Sequence, residues 1–187
     1  MQHLEPYYNW RHLYRSEDDE RSPFYTMEYS EFEYTNAVYD HYIHPQWDYF
    51  GSQTLYMKIL YVDYDEGYAI IEFIGEWNDV IENDIKELKD NIIGYLIREG
   101  VSKYILITEQ VMNIHTLETD YYEEWYEDIE GDDGWIVCIN TLPHVEQEWR
   151  ADGMSPYMFF YQYDKWRTML PDLFYEVINR KLHFFLD

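Results

Sequence analysis

The chain has 187 residues and carries 38 Asp and Glu against 13 Lys and Arg, which gives a formal net charge of −25. Direct binding to nucleic-acid phosphates requires a basic face, so this charge excludes a conventional nucleic-acid binder. The hydrophobic fraction of 47% and the aromatic fraction of 20% also exclude a disordered chain. Length and composition therefore predict one folded domain over residues 1 to 187.

Cysteine content and hydropathy indicate the compartment. Cys138 is the single cysteine of the sequence, so the small disulfide-stapled secreted class is excluded. Residues 1 to 20 have no apolar core of the signal-peptide kind, and no run approaches the ~20 apolar residues of a membrane helix. The negative charge also opposes an anionic membrane surface. We therefore expect a cytoplasmic protein without membrane attachment, and the sequence leaves its oligomeric state open.

Residues 1 to 50 are expected to form an extended arm followed by a helix. The arm, up to about residue 27, has prolines and an acidic patch but no sustained period. Ser30 followed by Glu33 has the form of a capping box, which predicts a helix starting there. Pro45 is expected to end this helix, because the residue before a proline leaves the helical region.

Residues 54 to 150 alternate between strand-like and helix-like patterns. The predicted order is strand 54–64, strand 68–75, helix 81–98, strand 103–108, a helix from 116 or 119 to 129, strand 135–140 and helix 143–149. The first two strands are separated by a short loop with Gly67, which is typical of an antiparallel hairpin. The later strands follow helices and are expected to be parallel. In residues 155 to 187 we expect an extension with an edge strand and a helix from Pro171.

The clearest helix signal lies after the predicted hairpin. Apolar residues recur there every three or four positions, as one stripe of an α-helix requires. They are Ile81, Ile85, Leu88, Ile92 and Leu96. Asn78 or Asp79 is expected to cap the start of this helix, and Gly100 stands where it should stop. The whole pattern predicts an α/β fold, with α+β as the alternative: a mixed sheet with an N-terminal β-hairpin followed by β-α-β-α units.

Three stretches of this core carry a resemblance to a known domain. The turn from Gly75 to Asn78 follows the second strand, residues 105 to 116 lead from a strand into the second helix, and residues 135 to 140 form the next strand. In this order they resemble the STAS domain, the fold of anti-sigma-factor antagonists and of the cytoplasmic tails of sulfate transporters. The resemblance covers residues 54 to 150.

The STAS resemblance implies a regulatory protein-binding role and a phosphorylation switch at an Asp-Ser step. In this chain the step reads His115-Thr116, so the switch is carried over to Thr116 with His115 beside it, and the glycine that usually follows is absent. The chain also resembles an uncharacterised family of conserved bacterial proteins, which implies no function.

Residues 118 to 133 combine many acids with aromatic rings. One interpretation is a solvated helix face opposite a packed aromatic stripe. The other is a docking surface for a basic protein partner, because acids steer association and Tyr and Trp supply contact area. The predicted partner-binding residues are Tyr121, Tyr122, Glu123, Glu124, Trp125, Glu127 and Asp128. The predicted loop 113 to 116 is expected to lie beside them.

Catalytic signals are absent from the sequence. It contains no G-x-S-x-G, no P-loop and no dinucleotide-binding glycine motif, and Cys138 lies in an apolar run that predicts burial. His41 and His44 have a spacing that suits a metal on one helix face, but Pro45 disturbs that geometry. We therefore predict no catalytic residue, no cofactor and no metal site, with these two histidines as the candidates if a metal binds.

Three functions remain open from the sequence. The first is a non-enzymatic, STAS-like interaction module that docks on a basic partner surface. The second is a nucleic-acid mimic that occupies a DNA- or RNA-binding protein, and the third is a metal-dependent or other enzyme using His41, His44 or His115. The aromatic enrichment exceeds what imitation of a phosphate backbone requires, which favours the first.

Overall fold

The computed structural model describes residues 4 to 38, 41 to 116 and 118 to 186. Near the N-terminus, β1 (Ala37–Val38) and β2 (His41–Tyr42) pair as a short antiparallel ribbon. This ribbon precedes the main sheet and packs beside it.

The main sheet is formed by β3 (Leu55–Asp63), β4 (Tyr68–Asn78), β5 (Lys103–His115), β6 (Trp135–Ile139) and β7 (Phe159–Tyr161). Within the described residues its strand order is β3-β4-β5-β6-β7. β3 and β4 are an antiparallel hairpin, whereas β4, β5, β6 and β7 are mutually parallel. The predicted mixed α/β sheet with an N-terminal hairpin is therefore confirmed, and so are the predicted edge strand and C-terminal helix.

The helices are α1 (Asp84–Leu88), a π-helical turn (Lys89–Ile93), α2 (Gly94–Arg98), α3 (Asp120–Glu130), α4 (Pro143–Ala151), a 3₁₀ turn (Trp166–Thr168) and α5 (Pro171–Leu186). The first three follow one another without interruption and make the crossover from β4 to β5. α3 and α4 make the next two crossovers, each between parallel strands.

Both faces of the sheet are covered. On one face, core residues such as Ile71 pack against α1 to α4, including Trp125. On the other face, Ile70 packs in a cluster with Phe174 of α5 and with Trp10 of the N-terminal arm. Neighbouring residues of one strand point to opposite faces, so a strand with two apolar faces needs cover on both sides. Residues 54 to 150 supply most of the first cover, and the two ends of the chain supply the second.

The predicted helix at residues 30 to 44 is wrong. Ser30 Oγ does accept the backbone N–H groups of Phe32 and Glu33, at 3.1 and 2.8 Å, as in a capping box. The chain then continues as an irregular segment into the β1–β2 ribbon, where Val38 packs in a small cluster with Trp47. The serine turn is a local interaction, and burial of Val38 in the ribbon decides the conformation that follows it.

The first long helix begins later than its apolar stripe predicts. Ile81 is 73% exposed and lies before the helix, because Asn83 adopts a left-handed backbone conformation with φ of 55°. Asp79 still caps the helix from a distance, since its Oδ1 accepts the N–H of Ile85 at 2.9 Å. Asp84 is the first helical residue.

The predicted loop at residues 113 to 116 is also wrong in part. β5 continues as a strand to His115, because β4 itself runs on past Gly75 and offers a pairing partner. Asn78 pairs with His115, and the N–H of Asp79 donates to the carbonyl of His115 at 2.8 Å. Residues 113 to 115 therefore belong to the paired part of β5 and not to a loop.

Candidate functional site

The acidic segment predicted to bind a partner is helix α3. Its 3.6-residue period places Tyr122, Trp125 and Ile129 inward, where they are fully buried. The intervening acids point outward, and those exposed to solvent are Asp120, Glu123, Glu124, Glu127, Asp128 and Glu130. α3 therefore has an aromatic inner face and an acidic outer face.

Two of the predicted contact residues are corrected by this geometry. Tyr122 and Trp125 are each 0% exposed, so neither ring reaches a partner. Trp125 packs edge-on against Tyr104, with ring centroids 5.1 Å apart. Tyr122 lies over Trp77, with centroids 6.4 Å apart. These rings belong to the packed stripe that the sequence offered as the first interpretation.

The acids of α3 fall into two groups. Lys89 of the π-helical turn lies 2.5 Å from Glu124 Oε1 and 3.0 Å from Asp128 Oδ2, and its own side chain is almost entirely buried. This lysine ties α3 to the preceding helix and neutralises part of its charge. Glu123 and Glu127 are exposed and lie near Tyr157, whereas Tyr121 is half-buried.

The sequence missed the exposed apolar side chains at the end of the sheet. Val80 and Ile81, in the turn after β4, are 50% and 73% exposed, and Met112 of β5 is 58% exposed. The turn adjoins α3, because Tyr122 of that helix hydrogen-bonds to Asp79. Ile81 was predicted to be core because its spacing fitted the helical stripe, so no sequence signal distinguished it.

Asp79 connects the end of β4 to helices α1 and α3. Its carboxylate accepts the indole N–H of Trp77 at 3.0 Å, the backbone N–H of Ile85 at 2.9 Å and the hydroxyl of Tyr122 at 2.7 Å. Burial raises the pKa of Asp79 to about 6 despite these three donors. Nearby, Asp84 accepts the N–H of Asn78 at 2.7 Å, and burial raises its pKa to about 7.

Thr116, the residue matched to the family's phosphorylated serine, lies among carboxylates. Its hydroxyl donates to Asp152, and it lines a shallow polar cleft with Glu118 and Asp120. A phosphate here would add negative charge next to three acids, which is electrostatically unfavourable. His115 is exposed at the end of β5, with Nε2 3.7 Å from Glu76 Oε1.

The residues considered for catalysis or metal binding are dispersed. Among the described residues, no group of three or more His, Cys, Asp or Glu side chains is placed to hold a metal ion. His41 is exposed on β2, whereas the ring of His44 packs edge-on to Tyr34 and lies 3.4 Å from Glu5. Cys138 is buried in β6, and burial raises the pKa of its thiol.

A second buried polar cluster was not predicted. Glu72 of β4 is 0% exposed and accepts the N–H of Tyr7 at 2.7 Å and the amide of Gln110 at 3.2 Å. Arg167 lies 3.8 Å from Glu72 and also pairs with Glu109. Burial raises the pKa of Glu72 to about 7. This cluster joins the N-terminal arm to the centre of the sheet, and its partners are too far apart in sequence to be predicted.

Comparison with known proteins finds similar chains among the solved structures. No protein-family model and no curated protein matches the chain. The Bacillus cell fate determinant SpoIIAA in its phosphorylated form shares 14% identity over 66% of this chain and 97% of its own, with a TM-score of 0.43. The unphosphorylated anti-sigma factor antagonist SpoIIAA shares 15% over 61% and 98%, with a TM-score of 0.46. A candidate anti-sigma factor antagonist of Thermotoga maritima shares 18% over 58% and 86%, with a TM-score of 0.40.

The TM-scores of all three neighbours are below 0.5. These neighbours are anti-sigma factor antagonists, the group that the sequence resemblance named. At such identities the likeness concerns architecture alone, so what this chain binds has to be argued from its own side chains. Among the helices of the described residues, none has the length and apolar character to cross a membrane.

Proposed function

We propose that this protein is a non-enzymatic interaction module that binds a basic protein partner. The binding surface, called here the docking face, consists of the acidic outer face of α3 and the apolar turn beside it. Its central residues are Glu123, Glu127, Val80 and Ile81. A regulatory role in the manner of anti-sigma factor antagonists is part of the proposal.

The observation that carries this proposal is that an exposed apolar turn is fastened to the acidic helix α3. Ile81 is 73% exposed in a turn that is fastened to α3 through Asp79, and α3 presents a row of acids on its outer side. Apolar side chains exposed beside charges are typical of an interface, in which the apolar part supplies contact energy and the charges supply orientation. The net charge of −25 also speeds encounter with a basic surface.

The docking face is tested by charge reversal with a matched control. We expect Glu123→Lys with Glu127→Lys to abolish capture of the partner, because both acids are exposed and lie on the outer side of α3. The control is Asp172→Lys with Glu176→Lys, which makes the same charge change on α5 at the other face of the sheet. Affinity capture from the native lysate, followed by a titration with the purified partner, measures both.

Ile81→Ser supplies the apolar half of the test. Because Ile81 is mostly exposed, this substitution should leave the free energy of unfolding nearly unchanged while it weakens partner binding. If the α3 pair and Ile81→Ser both bind the captured partner as the natural chain does, the proposed position of the docking face is wrong.

The second candidate is a nucleic-acid mimic, which the spread of acids favours. Exposed acids also occur on the N-terminal arm, at Asp18 and Glu20, and in the hairpin turn at Asp65 and Glu66. A mimic uses the whole charged surface, so both pairs of charge reversals would weaken binding and DNA would compete. An interaction confined to the docking face is lost only with the α3 pair and resists DNA.

A further inference from the structure

β7 leaves one edge of the main sheet open. It pairs with β6 on one side, and within the described residues no strand pairs with its other side. The opposite edge strand is treated differently, because Asp48 and Met57 exchange backbone hydrogen bonds of 2.7 and 3.2 Å across the outside of β3. Natural sheets usually cover or charge their edges, which makes the bare β7 edge notable.

The backbone of Phe160 faces this open edge. The carbonyl of Tyr161 accepts the N–H of Asn140 at 3.1 Å, so the backbone groups of Tyr161 point toward β6. Backbone groups of successive strand residues address opposite neighbours, which directs the N–H and C=O of Phe160 outward. The run Tyr157 to Tyr163 contains no charged residue and no proline, so nothing in it blocks the pairing of another strand.

A groove runs along the same edge. Its volume is about 280 Å³, and it is lined mainly by apolar side chains of β7 and α5. The apolar lining residues are Val137, Met158, Phe159, Phe160, Ile178 and Leu182. Among the described residues that line the groove, the charged ones are Arg150 and Lys181, and both are cations.

The two cations stand out on a chain of charge −25. The guanidinium of Arg150 lies 4.7 Å from the ring centroid of Phe160, while its Nε contacts Glu146 at 2.8 Å. Lys181 is exposed in the last turns of α5, next to Arg180. The groove therefore combines strand-pairing groups, apolar walls and positive charge, which complement an acidic extended peptide.

From this combination we infer that β7 is a second binding site, separate from the docking face, for an extended acidic segment of a partner protein. The segment pairs with β7 as a further strand through the backbone of Phe160. Its apolar side chains enter the groove, and carboxylates at either end of them meet Arg150 and Lys181. Main-chain hydrogen bonds supply affinity in such strand addition, and the side-chain pockets supply selectivity.

The groove's own charge argues against a second copy as the occupant. Two β7 edges placed together would bring the cations Arg150 and Lys181 of each copy toward like charges. Salt would screen this repulsion and promote self-association, whereas it would weaken binding of an acidic peptide. The two occupants therefore respond to salt in opposite directions.

The test is a titration of the whole protein with labelled peptides. The probe is a blocked fluorescein-labelled Glu-Val-Val-Val-Glu, compared with Lys-Val-Val-Val-Lys and with an N-methylated form of the acidic peptide. We expect the acidic peptide to bind with a Kd below about 1 mM, and the other two at least about tenfold more weakly. Equal binding of the lysine peptide would overturn the charge argument, and equal binding of the N-methylated peptide would overturn strand addition.

A matched pair of variants places the site on the protein. Lys181→Glu should weaken binding of the acidic peptide several-fold, while Arg180→Glu should change it little, because Arg180 is not part of the groove lining. Both positions are exposed, so folding is expected to be unaffected. No binding of the acidic peptide, or a sedimentation mass that doubles with salt and returns to the monomer value in Phe160→Lys, would overturn the proposal. Failure of the docking face variants leaves this test untouched.

Discussion

The hydroxyl of Tyr122 lies 2.7 Å from Asp79 Oδ2, inside the junction between α3 and the end of β4. This contact joins a helix whose outer face is acidic to the turn that carries Val80 and Ile81. This buried hydrogen bond therefore helps to fix the relative position of the two halves of the docking face, together with the ion pairs of Lys89. It also explains why a tyrosine that reads as a surface residue in an acidic segment is instead completely buried.

Tyr122→Phe is expected to lower the free energy of unfolding by about 1–3 kcal/mol, because Asp79 loses a donor while remaining buried. The loss should be larger at pH 8 than at pH 5, since Asp79 is ionised above its pKa of about 6. Urea denaturation at both pH values measures it. Tyr121→Phe, on the half-buried neighbour, is the control and should cost less than about 0.5 kcal/mol.

Stability is expected to fall as the pH rises from about 4 to about 7. Burial raises the pKa of Glu72 to about 7 and that of Asp79 to about 6, so the folded chain binds more protons than the unfolded chain in this window. The stabilisation by these protons is complete below the unfolded pKa near 4 and is lost as the pH passes the folded values. Glu72→Gln should flatten this profile, with a change of up to about 3 kcal/mol in the pH-dependent part.

Thermal unfolding between pH 5 and 8 checks the Glu72 prediction. Glu66→Gln changes an exposed acid in the hairpin turn and should leave the shape of the profile as it is. An equally steep profile in Glu72→Gln would mean that Glu72 does not contribute to the pH dependence of stability.

Lys89→Met is expected to cost about 0.5–1 kcal/mol, because the carboxylates it pairs with, Glu124 and Asp128, are half-exposed and regain water. It also removes the charge that neutralises part of α3. If the docking face binds a basic partner, the association rate at low salt should therefore rise in this variant. Stopped-flow binding at two salt concentrations measures this, and a lower rate at low salt would contradict the electrostatic role of α3.

Thr116→Glu is expected to destabilise the fold more at low salt than at high salt, because it places a fourth acid beside Asp152, Glu118 and Asp120. Asp152→Asn in the same chain should restore part of the loss. Melting temperatures of these variants and of the natural chain, measured at two salt concentrations, test this prediction. A stable and salt-insensitive Thr116→Glu would support Thr116 as a phosphorylation switch.

The sequence predicted the parts of the fold that depend on regular periods. The hairpin, the crossovers and the C-terminal elements follow from alternation and from the helical stripe, which are local properties. It failed at Ser30, where a local capping signal competes with tertiary burial of Val38, and at Ile81, where a helical spacing continues one turn beyond the helix. Local patterns do not record which segment the rest of the chain will cover.

The sequence predicted the acidic residues of the candidate site, but it did not predict the exposed apolar residues Val80 and Ile81. Acids interleaved with rings identify α3 as an amphipathic helix, but only the tertiary structure shows that Trp125 faces inward. The exposure of Val80 depends on where β4 ends and on the pairing of Asn78 with His115. Strand ends are set by a partner strand from a distant part of the sequence, so they could not be placed in advance.

The cover on the second face of the sheet sets an order for folding during synthesis. Trp10 Nε1 donates to the carbonyl of Met169 at 2.9 Å, and the hydroxyl of Tyr7 donates to the carbonyl of Arg167 at 2.7 Å. Tyr7 and Trp10 therefore leave the ribosome about 160 residues before the residues that they bind. Until then the apolar side chains on that face of the sheet, including Ile70, remain exposed to solvent. The negative charge of the nascent chain opposes its aggregation with other chains during this interval.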